Sequence, residues 1–194
     1  MVAGQTYSFT YTYNLADSPT SETYPSGRKV TTGYDSVNRS NLVTGTANNQ
    51  ATTYASNFSF AAHGAATQYE YGNPLPNPKS LWRRITYNSR LQMSGYIDAI
   101  NNSDASELLN VTLGWGATNN NGNLQSATYR NGGPGYPQFL TFTQSYGFDG
   151  VNRINLVSDT GGWSRAFQYD PYGNMWVTSN SGVPLAGNTP TTNV

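Results

Sequence analysis

The chain has 194 residues and no cysteine, which excludes disulfides and thiolate-held zinc or iron–sulfur centres. Histidine occurs once, as His63, so no multi-histidine metal site can be assembled. Charge is scarce too: Asp, Glu, Lys and Arg together make 10% of the residues, against roughly 25% in ordinary globular chains. The formal net charge is +0 and no basic run occurs, so the electrostatic footprint of a nucleic-acid binder is missing. No apolar stretch nears the ~20 residues of a membrane span. The opening "MVAGQTYSF" has no basic-then-apolar signal segment. The expectation is no metal, no cofactor, no nucleic acid and no membrane span.

What is abundant is aromatic and neutral polar. Tyr 15, Phe 7 and Trp 4 supply the apolar surface, and Asn, Ser and Thr supply most of the polarity. Tyr7, Phe9, Tyr11 and Tyr13 alternate with Thr6, Ser8, Thr10 and Thr12. Leu140, Phe142, Tyr146 and Phe148 keep one parity, as do Trp163, Phe167 and Tyr169. Val111, Leu113 and Trp115 make another such run, ahead of the turn-rich "ATNNNGN". A period of two predicts strands with one buried aromatic face. "SDASELLNV" is the sole helix candidate, and it is short.

Between these runs a short motif recurs. "FQYDPYGNM" contains Asp170, and "YGFDGVNRI" contains Asp149, 21 residues earlier. "GYDSVNRSN" contains Asp35, and Asn14 in "YTYNLADSP" again precedes it by 21. Asp or Asn in the first slot suits the opening corner of a type I turn, and Pro171 presets the next corner. The fourth slot holds Asp17, Asn38, Asn152 or Gly173. These types tolerate the positive φ that a three-residue hairpin loop with a bulge requires. Self-similarity at a fixed spacing marks a repeat architecture. The fold expected is all-β: repeated antiparallel hairpins forming a long twisted sheet or partial shell. "SDTGGW" supplies a second turn inside one repeat.

The recurrent Tyr-Asp, with Gly or Asn and often Arg following, resembles the YD-repeat (RHS-repeat) family of bacterial secreted or surface proteins. The likeness rests on "YTYNLADSPTSETYPSGR", "GYDSVNR", "QYEYGNPL", "SYGFDGVNRI" and "FQYDPYGNM", with "ITYNSRLQ" and "GWGATNNNGNLQSATY" beside them. It covers most of the chain and is weakest at residues 47–66. It implies an antiparallel ribbon of hairpins winding into a hollow shell, with neighbouring repeats as partners and an extracellular or cell-surface location. By this reading residues 1–194 are one repeat segment of a longer chain, with 181–194 a loose tail. The slots it marks are Tyr34, Asp35, Asn38 and Arg39; Phe148, Asp149, Asn152 and Arg153; and Tyr169, Asp170 and Gly173. Autoproteolysis is not implied, because the Asp-Pro of "YDPYG" sits in a repeat turn.

Few residues offer chemistry. Asp149 and Asp170 lie on neighbouring repeats, where two carboxylates could work as a glycosidase pair. Asn14 fills the same slot, however, and an amide can neither ionise nor donate an acidic proton. His63, in "AAHGAAT", would have to serve any Ser-His-Asp triad, and no G-x-S-x-G elbow accompanies it. "NGGPGY" lacks the lysine of a phosphate cradle. Trp115, Trp163 and Trp176, with Tyr172 at a turn tip, are candidates for stacking against sugar rings.

Three readings compete: a structural shell segment, a polysaccharide-binding surface module, and a hydrolase using the paired Asp residues. Unfinished sheet edges, above all near Tyr7–Tyr13, would favour self-association.

Overall fold

The computed structural model describes residues 4, 6–72, 80–118, 120–133, 140–187 and 189–192. It contains fourteen strands: β1 Thr10–Tyr13, β2 Pro19–Thr23, β3 Lys29–Tyr34, β4 Ser40–Ala47, β5 Gln50–Phe60, β6 Ala66–Tyr71 and β7 Leu81–Tyr87. These are followed by β8 Met93–Ile100, β9 Glu107–Gly114, β10 Ser126–Asn131, β11 Leu140–Phe148, β12 Ile154–Asp159, β13 Ser164–Tyr169 and β14 Met175–Ser181. Each strand neighbours the next in chain order, β1 through β14, in one antiparallel sheet. The helix candidate shrinks to a 3-10 turn at Asp104–Ser106, and its "ELLNV" opens β9. Pro134–Tyr136 of "NGGPGY" lie outside the described residues.

Two compact units divide the chain: Met1–Thr86 with Ile97–Glu107, and Tyr87–Tyr96 with Leu108–Val194. In the second unit, Val111 pairs with Tyr129, and Tyr129 pairs with Phe142. The last two rings stack at 5.0 Å. In the first, Phe58 stacks on Tyr69 at 5.3 Å, and Tyr69 meets Tyr71 edge-on at 4.9 Å. Ring pairs of this kind contribute about 0.5–1.5 kcal/mol each beyond the area they bury. Beside them Arg83 forks onto Asp98, with Nε–Oδ1 and Nη2–Oδ2 both 2.7 Å. Among the described residues the buried apolar positions are small: Ala99 in the first unit, and Val111, Ala127 and Val177 in the second.

The expected buried aromatic face is therefore corrected. Tyr7, Phe9, Tyr11 and Tyr13 are 48–60% exposed, and Leu140 is exposed as well. Trp82, Trp115, Trp163 and Trp176 are half-buried. Alternation reports which side a residue faces, not whether a second layer covers that side. Here the strands lie in one sheet, so rings pack sideways on their neighbours. Strand β1 also begins only at Thr10. In the 181–194 tail, the Pro190 carbonyl accepts from the Val177 amide (2.9 Å) and the Val183 carbonyl from Asn180 Nδ2 (2.7 Å).

Eight hairpin turns share one backbone pattern. The first residue's N–H donates to the fifth's carbonyl, and the fourth's N–H donates back to the first's carbonyl. This holds for the turns starting at Asn14, Tyr24, Asp35, Ala61, Asn88, Asp149, Asp159 and Asp170. Every fourth residue has positive φ: Asp17, Gly27, Asn38, Gly64, Leu91, Asn152, Gly162 and Gly173. Seven are Gly, Asn or Asp, as sterics require. Leu91 is the exception, at φ 63 and 58% exposed. Leu91→Asn should relieve about 1 kcal/mol of backbone strain and raise the melting temperature by a few degrees. An unchanged or lower melting point would contradict the strain at Leu91.

Candidate functional site

Antiparallel order sends successive hairpin turns to alternate ends of the strands. The turns at 14–18 and 35–39 therefore share one rim in the first unit, and those at 149–153 and 170–174 share one rim in the second. Each of these rims carries copies of the motif, and the rim of the second unit carries both candidate carboxylates, Asp149 and Asp170.

The first-slot side chain holds each turn closed. Asp35 Oδ1 accepts the backbone N–H groups of Val37 (3.0 Å) and Arg39 (2.9 Å). Asp149 Oδ1 does the same with Val151 and Arg153, and Asp170 Oδ1 with Tyr172 and Asn174. The amides of Asn14 and Asn88 make the same two contacts. The second carboxylate oxygen is engaged as well. Arg39 Nε donates to Asp35 Oδ2, and Arg153 Nε donates to Asp149 Oδ2, both at 2.7 Å. Asn174 Nδ2 donates to Asp170 Oδ2 at 2.7 Å.

The aromatic ahead of the carboxylate ties turn to turn. The Tyr34 hydroxyl donates to the Pro19 carbonyl (2.9 Å), and the Tyr169 hydroxyl to the Ile154 carbonyl (2.7 Å). Each acceptor is the residue just past the preceding motif turn, so the bond spans 15 residues in both cases. Arg153 also lies 4.3 Å over the Tyr169 ring, and Arg39 lies 4.5 Å over Phe60. At the fourth slot, Asn38 receives Asn14 Nδ2 and donates to Ser18 Oγ. Asn152 Oδ1 receives Asn121 and Asn123. The 21-residue spacing is thus the distance at which one motif turn reaches back to the one before it.

Electrostatics follow from these bonds. The Arg153 backbone amide chiefly, with its side chain and the Val151 amide, holds the Asp149 carboxyl below the ordinary carboxylate value. Arg39 does the same for Asp35, and the Asn174 side chain leads for Asp170. A glycosidase acid needs the opposite shift. The Phe148 and Tyr169 turns bring Asp149 and Asp170 to one rim, with Arg153 paired to Asp149 and stacked on Tyr169 between them. A shallow depression of ≈ 380 Å³ there is lined by Asp149, Arg153, Asn155, Phe167 and Tyr169, among others. The arrangement builds turns, and the lowered values keep both carboxylates ionised at neutral pH.

Lowered folded-state values mean that the unfolded chain binds protons first as pH falls. These groups therefore stabilise the fold above their ordinary value near 3.9, and that contribution is lost as pH drops through the lowered values. Asp149→Asn would turn an N–H toward the Arg153 guanidinium, whereas Asp170→Asn can be met by a flip of the Asn174 amide. At pH 7, Asp149→Asn should lower the melting temperature more than Asp170→Asn. Both should flatten the loss of stability between about pH 5 and pH 2. Equal effects at pH 7 would contradict the guanidinium pairing.

The other candidates lie elsewhere. His63 is the exposed third residue of the Ala61–Ala65 turn in the first unit, while both Asp residues stand in the second. Trp115 follows β9 and donates its indole N–H to the Met93 carbonyl (2.8 Å). Trp163 closes the Asp159 turn at the opposite rim, and four strands, β10 to β13, separate Trp176 in β14 from β9, which Trp115 follows. The structure does not gather the three into one platform. Tyr172 is 92% exposed at its turn tip. Among the described residues no group of three or more His, Asp or Glu is placed to hold a metal.

A sheet running in chain order, closed by turns that bond to one another, defines a repeat-type antiparallel β-structure. No family model matches the sequence, and no curated protein matches it. Among solved structures the fold is similar to a chain in the crystal structure of TcdB2-TccC3-Cdc42. The TM-score is 0.70 at 15% identity, covering 90% of this chain and 9% of that one. It is similar also to a chain in the Tc holotoxin pore of Photorhabdus luminescens carrying a TccC3 mutation. There the TM-score is 0.68 at 15% identity, covering 88% and 9%. A third likeness, to TcdB2-TccC3 without its hypervariable C-terminal region, has TM-score 0.69 at 15% identity, covering 90% and 9%. The chain thus spans about a tenth of the length of the chains it matches.

Proposed function

We propose that this chain is a structural repeat segment of a bacterial secreted or cell-surface YD-repeat protein, contributing strands to a β-sheet shell or scaffold. The observation that carries this reading is the use made of the motif side chains. Asp35, Asp149 and Asp170 each commit both carboxylate oxygens to closing their own turn. Tyr34 and Tyr169 commit their hydroxyls to the preceding repeat. Residues that would be chemistry in an active site are joinery here. The fold likeness to Tc toxin complexes supports the same reading, with neighbouring repeats as the partners.

A scaffold of this kind has nearest-neighbour energetics, in which a local defect stays local. The test uses variants that keep one tryptophan each, Trp82, Trp115 or Trp176, with the others changed to Phe. Gly173→Val is added to each, and urea unfolding is followed by fluorescence. The midpoint should drop most for Trp176, less for Trp115 and least for Trp82. An identical drop at all three would describe a self-contained cooperative domain and overturn the scaffold reading.

A further inference from the structure

A second feature lies on the first unit, on the face shared by Tyr11, Glu22, Tyr24 and Val30. Register sets Tyr11 beside Glu22, and Glu22 beside Val30. The Glu22 carboxylate accepts the Tyr11 hydroxyl at Oε1 (3.3 Å) and the Tyr24 hydroxyl at Oε2 (3.0 Å). A carboxylate offers about four acceptor sites, so the two hydroxyls leave capacity on the open side. Among the described residues no cation lies within ion-pair distance of Glu22. Asp35, Asp98, Asp104 and Asp149 each have an arginine.

Glu22 lines a depression of ≈ 330 Å³ together with Tyr11, Tyr13, Pro19, Ser21, Val30 and Thr32. That is the lower end of the range for small-ligand pockets, about 300–1,000 Å³. Tyr11 and Tyr13 are 50% and 60% exposed, so two ring faces border it. The same face already holds one guanidinium. Arg28 sits 5.5 Å from the Tyr24 centroid and 5.3 Å from the Tyr54 centroid. Arg28 lies against those rings, and among the described residues no cation pairs with the Glu22 carboxylate.

We propose that this depression is a recognition site for a guanidinium group, the side chain of an arginine on another polypeptide segment lying across the face. The planar cation forks onto Glu22 and lies against the Tyr11 and Tyr13 rings as Arg28 lies against Tyr24 and Tyr54. Charge complementarity selects the occupant. A neutral group leaves the carboxylate unmet, and an anion opposes it.

The probe is a short peptide with capped ends and one central arginine as its single charge, titrated into the whole chain by NMR or calorimetry. Its twin carries citrulline, which keeps the shape and removes the charge. The arginine peptide should bind, the citrulline twin should bind at least about tenfold more weakly, and Glu22→Gln should erase the difference. Tyr13→Leu, at a ring that bonds neither Glu22 nor Tyr24, should weaken the arginine peptide alone. No binding of the arginine peptide, or equal binding of the two peptides to the unaltered chain, would overturn the proposal. That comparison stands even if Glu22→Gln impairs folding. Binding unchanged in a folded Glu22→Gln variant would overturn it too.

Discussion

Gly95→Ala should be among the most damaging single changes in this chain, lowering the melting temperature by on the order of 5–10 °C. A Cβ at Gly95 would stand 2.3 Å from the Val111 carbonyl oxygen. That atom is backbone in the adjacent strand β9, so no rotamer change can relieve the contact. The residue is buried, and Val111 is itself 2% exposed. Overpacking against such a neighbour costs about 1–3 kcal/mol. Gly150→Ala is the matched control: its Cβ would meet nothing within 4 Å, and its φ is not in the left-handed region. It should be neutral or gain about 0.4–1 kcal/mol by restricting the unfolded chain. Thermal melts of the pair check the claim. Equal losses would show that alanine harms this sheet for reasons other than the β8–β9 approach.

Gly173→Val should rank beside it by a different route. A Cβ there meets nothing within 4 Å, so space is not the issue. The backbone is held at φ 91, where a β-branched residue is a true outlier. The strain is about 1–3 kcal/mol. Tyr172→Val, one residue earlier at 92% exposure, should change little. Gly173→Asn should fall between, because Asn38 and Asn152 occupy the same slot at φ 62 and 66. Melting curves in which Gly173→Val and Tyr172→Val coincide would contradict the turn geometry.

Particular residues show what the sequence could and could not convey. Asp35, Asp149 and Asp170 act on amides two and four residues away. A local bond leaves a local signature, and the spacing exposes it. The all-β class was legible for the same reason, since alternation is a property of neighbours. Burial is not, which is why Tyr7 to Tyr13 read as core and stand exposed. Leu91 left no signal, because leucine is a poor fit for the conformation it adopts. The Asn48–Asn49 turn, at φ 50 and 60, falls where the family likeness is weakest. The Arg83–Asp98 fork joins β7 to β8 across 15 residues, and neither residue sits in a recurring motif. The Glu22 depression needs three strands in register before its residues meet.

Strand order has a consequence for how the molecule comes into being. Because each strand lies beside its successor in the chain, the contacts that build the sheet close short loops. Short loops cost little entropy to close, and local pairing is the fast regime of folding. Assembly can therefore begin at whichever hairpin is first available and extend outward, a strand at a time. The N-terminal hairpins need not wait on the ribosome for the C-terminal ones. A chain released or threaded lengthwise can re-form in the order in which it emerges.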